Sequence, residues 1–289
     1  MTGNLSLYAT YTGLDELFLC TLGHEQWHSV VDLGNGFYQH IIEPDYDLYS
    51  HSYLAGDGLI AGDILAGEKK VRRFTLVIDK QVSQHQFPGC HVNNFTMSGN
   101  AGGAIQIDVG LICYEMNLQN IDSSTWNWVD GKCKKLLFPD LVMKIDGNEI
   151  NISEFSLNIN NNLTQSDDSN NIHPLEPMRP GKRNVSFSFK LPKYDTDEFL
   201  NKVDTDSDVS VSLEFTSSDG YEIGIYMPKA RFNFDDVQAK SESLIQQDIE
   251  LIPLGDGTIP AGFPSVPSGR KPEIYFKLVN KISTELWRI

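Results

Sequence analysis

The chain is short of positive charge: 23 Lys and Arg stand against 39 Asp and Glu, a formal net charge of −16. A surface that grips nucleic acid needs clustered cations to neutralise phosphates, so this balance argues against one, although not against a surface that DNA slides past. Long apolar runs are also missing. No stretch reaches the ~18 uncharged apolar residues of a membrane span, and no membrane partner is expected. Met1-Thr2-Gly3-Asn4 has neither the basic start nor the apolar run of a signal peptide. The expectation is a protein made in the cytoplasm. Cysteine is scarce and scattered, at Cys20, Cys90, Cys113 and Cys133 with no C-x-x-C pair, which predicts neither a disulfide framework nor a zinc ribbon. No Walker loop, nucleophile elbow or dinucleotide fingerprint occurs, so no cofactor is expected.

What the chain does have is period-two alternation. Leu5, Leu7, Ala9 and Tyr11 fall on one face of an extended segment, as do Ile105, Ile107, Val109 and Leu111. Val185, Phe187, Phe189 and Leu191 repeat the pattern, followed by Val209, Val211, Leu213 and Phe215. Ser217-Ser218-Asp219-Gly220, Asp146-Gly147-Asn148 and Asn100-Ala101-Gly102-Gly103 are turn signals between such runs. The reading is a mainly β protein with sheets covered on one face. Sequons at Asn4, Asn94, Asn151, Asn162 and Asn184 follow from Asn, Ser and Thr in alternating strands and do not imply glycosylation.

Helical signal is sparse. Gly13 to Gly23 has apolar helical spacing and a terminating Gly, and Tyr194 to Val203 opens with acids. Each follows an alternating strand. Phe95-Thr96-Met97 also lines up with Phe155-Ser156-Leu157, and Ile105 to Tyr114 with Val185 to Tyr194. These echoes predict two tandem related β-barrel or β-sandwich modules with one short helix each, over 1–133 and 134–289, the second carrying a C-terminal extension.

Three irregular segments interrupt the alternation: Glu43 to Lys70, Asn160 to Lys182, and the Pro- and Gly-rich Gly255 to Lys271. Loops this long usually perform or bind something, the competing reading being plain hairpin tips. The last leads into an apolar strand, Ile274 to Val279, expected to dock on the body or on a neighbouring subunit.

One catalytic motif is present. His24-Glu25-Gln26-Trp27-His28 fits H-E-x-x-H, in which a helix sets two histidines one turn apart to hold zinc and leaves the Glu as general base. Gly23 stands immediately ahead and ends the nearby helix, and position 31 is Val where the extended motif needs Gly. His40 and Glu43 are candidate third ligands. The competing reading is a polar connector with Trp27 packing, so His24 and His28 make a zinc hydrolase only the alternative to a non-enzyme. Asp204 to Asp208 starts like a calcium loop, but Val209 and Phe215 stand where Gly and Glu are required. Trp126 and Trp128 have strand-face spacing, which suits a core or interface more than the platform of a glycan-binding module.

From Phe74 to Phe234 the chain resembles the tail tube proteins of long-tailed phages, in their duplicated form. Pro88-Gly89-Cys90-His91-Val92-Asn93-Asn94-Phe95-Thr96-Met97 is similar to a recurrent stretch of that family. So are Phe155 to Leu163, with its Asn-Asn-x-Leu ending before a long loop, and Tyr221 to Pro228. The resemblance implies a structural, non-enzymatic virion protein whose copies form rings. Inner sheets would join around a lumen that conducts viral DNA without binding it specifically, and rings would stack with each other and with other tail proteins. Two modules per chain would imply a trimeric ring with pseudo-sixfold symmetry. The long loop, through Asn162, Asp167, Asp168, Asn170, His173 and Arg179, would contact the next ring. A terminator or distal-tail protein of the same fold is the sibling reading.

Overall fold

The computed structural model describes residues 2–25, 30–44, 73–79, 84–119, 134–165, 182–193, 207–233 and 247–283. It is mainly β, with one α-helix among the described residues. Thr2–Tyr8 (β1) is followed by Asp15–Leu22 (α1), Gly23–Glu25 (β2), Val31–Gly34 (β3) and Phe37–Pro44 (β4). Then come Phe74–Asp79 (β5), Gln84–Asn100 (β6), Gln106–Ile112 (β7) and Asn117–Gln119 (β8). After these lie Leu141–Ile145 (β9), Asn148–Glu149 (β10), Glu154–Asn160 (β11) and Asn184–Leu191 (β12). Asp208–Thr216 (β13), Glu222–Phe232 (β14), Gln247–Pro253 (β15) and Tyr275–Asn280 (β16) complete the order.

The strands pair in the order β1-β7-β6-β11-β12-β15-β14-β13-β9-β10, antiparallel throughout. The path ends at β1 and β10 and does not close, so the described chain is not a barrel by itself. It does fold back on itself. Along one edge of β14, Glu222 to Tyr226 pairs with β16, whereas Ala230 to Phe232 pairs with β15. That fork separates two layers, which we call A (β1-β7-β6-β11-β12-β15) and B (β10-β9-β13-β14-β16-β4, with β2 and β3 on β4). The alternating apolar residues of both layers meet in one core. Phe155 of layer A packs on Phe215 of layer B with centroids 6.2 Å apart, and Phe95 on Phe276 at 6.3 Å.

Helix α1 plugs one end of this core. Asp15 and Glu16 occupy its first turn, where negative charge suits the exposed N–H groups. Gly23, at φ 106°, turns left-handed and donates its N–H to the carbonyl of Leu19, a conformation that favours glycine. Phe18 lies between the layers, 5.9 Å from Phe95 and 5.3 Å from Phe276. The helix expected at Tyr194 to Val203 lies outside the described residues.

The echoed segments occupy matching places. Phe95 pairs with Val109 and Met97 with Ile107 in β6–β7, while Phe155 pairs with Phe189 and Leu157 with Phe187 in β11–β12. The two hairpins sit side by side in layer A. Met97 falls directly opposite its counterpart Leu157, and the pairs Phe95–Ile159 and Gly99–Phe155 flank it symmetrically. The hairpins are thus related by a local twofold through that pair.

One expectation is corrected. Cys90 and Cys113 form a disulfide, with Cα atoms 4.0 Å apart. A sequence separation of 23 hides the neighbourhood that the β6–β7 hairpin creates, where His91 pairs with Ile112. The Gly255–Lys271 segment packs against the body. It straps the outer face of layer B, packing Phe263 on Tyr226 at 5.1 Å and accepting the Tyr275 hydroxyl at the carbonyl of Pro264.

Candidate functional site

The strap covers layer B around Ile41, Tyr226 and Tyr275, and the outer face of layer A is a broad, open sheet surface among the described residues. Alternation decides what it shows. Wherever an apolar residue points inward, its neighbour points out, and those neighbours align in rows across the strands. One row reads Ser6, Asp108, Thr96, Asn158 and Ser186. The next reads Tyr8, Gln106, Ser98, Ser156, Ser188 and Glu250. On the far side of the first row lie Asn4, Gly110, Asn94, Asn160 and Asn184. A last row runs Asn100, Glu154, Lys190 and Asp248.

Hydroxyls and amides dominate these rows. The carboxylates are Asp108, Glu154, Asp248 and Glu250, and the only cation in the rows is Lys190. Its ammonium is held 3.4 Å from Glu154 and 3.3 Å from Asp248, pairings that raise its pKa. The side chains tie together along the rows: Ser6 donates to Asp108, and Asn158 Nδ2 donates to Thr96 Oγ1 at 3.0 Å. A Cβ on Gly110 would stand 3.3 Å from Asn94 and 3.6 Å from the Asn4 amide oxygen, so the missing side chain leaves room for both asparagines. Three sequons, at Asn4, Asn94 and Asn184, are therefore stations on this face. The N-x-S/T pattern records outward polar residues around one inward apolar residue.

The second element is the base of the 160–182 loop. Asn161 is buried and donates to the carbonyls of Thr21 at 3.0 Å and Val92 at 2.9 Å. Its own oxygen accepts from Arg183 Nε at 2.7 Å. Arg183 also donates to the Leu22 carbonyl at the helix C-terminus, at 2.8 Å, and faces Glu273 at 3.6 Å. Asn162 closes the neck by donating to the Lys182 carbonyl. Of the expected contact residues only Asn162 is among the described ones. Asp167, Asp168, Asn170, His173 and Arg179 lie outside them.

The zinc alternative meets a different geometry. α1 ends at Leu22, and His24 and Glu25 are extended in β2, where they pair with Glu43 and Ile42. The helical turn that H-E-x-x-H needs is absent at its first two residues. His28 and the Trp126–Trp128 pair lie outside the described residues. The candidate third ligands serve the fold instead. Buried His40 Nε2 bonds Asn280 and the Ile282 carbonyl, and buried Glu43 accepts from Ser268 of the strap. Burial raises the Glu43 pKa, with Ser268 and Arg270 opposing the shift.

A large antiparallel β body with an open, polar, cation-poor sheet face and a braced neck at Asn161 and Arg183 belongs to the class of structural proteins that act through a shaped surface. The sequence profile of a family described as phage tail tube protein matches residues 1–253, and the chain belongs to that family. It is therefore a structural component of the virion tail, in a family whose members assemble into a tube with other tail proteins. No curated protein matches the chain.

Proposed function

We propose that the chain is a tail tube subunit whose copies join into rings, that the rings stack, and that the outer face of layer A lines the bore through which phage DNA passes. The composition of that face carries the reading. A moving duplex would meet hydroxyls and amides already bonded to one another or to water, and carboxylates that repel phosphate within a Debye length of about 8–10 Å. The one lysine is held between two carboxylates. Strand β1, outermost in layer A, has one edge with no strand partner among the described residues, an edge that a sister subunit would complete. The 160–182 loop, on its braced neck, is proposed as the contact to the next ring.

The reading of 1–133 and 134–289 as related halves gains support from the matching hairpin registers. Their arrangement bears on the ring. Rotation about a tube axis keeps strand direction, whereas the counterpart strands β6 and β11 are adjacent and antiparallel. That relationship favours the whole chain as the repeating unit over a trimer with pseudo-sixfold symmetry. The subunits would be made in the host cytoplasm.

Negative-stain microscopy of concentrated full-length protein is the direct test. Rings or tubes with an open bore are expected. Protein that stays monomeric across several salts and temperatures would sink the proposal, and rings that never form filaments would favour the terminator or distal-tail sibling.

A further inference from the structure

The first part of β6 lies outside layer A. Ahead of Cys90 the strand is flanked by β5 and β8, which form a separate three-stranded ribbon. At ~3.4 Å per residue, the segment from Gln84 to Cys90 makes an arm roughly 20 Å long. Ile78, His85 and Leu118 stand in one cross-strand row, and Leu76 pairs with Phe87, which puts all five on one face. Val77, Gln86 and Asn117 share the other. At the base of the arm, Leu76 and Phe87 pack on the core. Toward the tip, Ile78 is 38% exposed and Leu118 64%. The apolar surface of the core thus runs out along the arm and, among the described residues, ends exposed at Ile78 and Leu118, as docking surfaces do.

A second exposed apolar spot sits at the other end of the same strand. Beyond the β6–β7 turn, Leu137 bridges Ala104 and is 42% exposed. Tyr8, paired with Gln106, is 50% exposed, and Lys135 lies over its ring at 4.4 Å. The two spots lie at opposite ends of the 17-residue β6.

We infer that the apolar face of the arm seats on the Tyr8–Leu137 end of a second copy of this chain, in the next ring along the tube. The inference rests on the tail tube reading above and names the surfaces that stacking would use. Contact between unlike ends is heterologous and repeats without limit along one direction, whereas contact between like ends would stop at two copies. The arm also leaves the body at the end where Asn161 is braced: its side chain donates to the Val92 carbonyl and its backbone N–H to that of Asn93, a few residues from Cys90.

The test uses full-length protein, followed by pelleting and negative stain, with Leu118→Asp, Leu137→Asp and, on the opposite face of the arm, Asn117→Asp. Each leucine variant should lower pelletable polymer at least tenfold while keeping rings and the wild-type melting temperature. Asn117→Asp should polymerise normally. A mixture of the two leucine variants retains one intact arm facing one intact seat, so it should give ring pairs and no tubes. Should Leu118→Asp lose its melting transition, Leu118→Ser replaces it with the same expectation. Wild-type levels of polymer in the leucine variants, or loss of the rings themselves, would overturn the inference while leaving the tube reading in place. Wild-type protein that forms no polymer would overturn both.

Discussion

Arg183 and Asn161 hold the two ends of the 160–182 loop together: the guanidinium Nε donates to the Asn161 oxygen at 2.7 Å, beneath the C-terminus of α1. Arg183 is nearly buried, its side chain 4% exposed, and it engages the Leu22 carbonyl of α1, Asn161 and Glu273. Arg183→Met would keep the volume and strand the Asn161 oxygen and the Leu22 carbonyl. Breaking such a buried charged network costs about 3 kcal/mol. Chemical denaturation should show that loss, and limited proteolysis within 162–182 should speed up. An unchanged midpoint would contradict the clamp.

Gly224 lies under the ring of Tyr226, where an added Cβ would come within 2.5 Å of the aromatic carbons. Tyr226 is itself fixed by its hydroxyl on Glu214 at 3.0 Å and by Tyr275 and Phe263. Gly224→Ala should therefore displace the ring, at a cost of about 1–3 kcal/mol. Near-ultraviolet circular dichroism should lose part of its tyrosine signal. A neutral substitution would mean that the ring moves aside freely.

Much of the fold was legible in the sequence, because burial on one face writes a period of two into a strand. The apolar positions of β1, β7, β12 and β13, the turns at 100–103, 146–147 and 217–220, and the Gly23 stop of α1 all came from local chemistry. The outer face of layer A was legible only in part. Its residues were visible as sequons, but their alignment into rows needs the β6–β11 register, which no local pattern specifies. The Cys90–Cys113 bond and the Arg183 clamp were missed for the same reason, since their partners are brought together by strand pairing and packing. At His24 and Glu25 the sequence already spoke against its own motif. Their motif is local, and a single left-handed Gly23 removes the helix it needs.

Glu43 gives the strap a pH signature. Its folded pKa is raised, chiefly by burial, so its contribution is fully present below the ordinary carboxylate pKa and is lost as pH rises through the folded value. Glu43→Gln keeps an acceptor for Ser268 without the charge. Relative to wild type, the variant should gain melting temperature as pH increases from about 4 towards neutrality. A difference that stays flat over that window would contradict the assignment.

Cations placed on the open face should make it adhere. Thr96→Lys with Asn158→Lys and Ser186→Lys adds three positive charges along one row, beside Asp108. Assembled tubes of this variant should retain linear duplex DNA at low salt and release it as salt rises, whereas wild-type tubes should retain none. Equal behaviour of the two would argue that DNA never meets this face.

The radial position of that row decides the account most directly. An image reconstruction of tubes assembled from the full-length chain should place Ser6, Asp108, Thr96, Asn158 and Ser186 on the wall of the bore, with the strap over layer B turned outward. A reconstruction with this row on the outer surface, or buried between subunits, would contradict it.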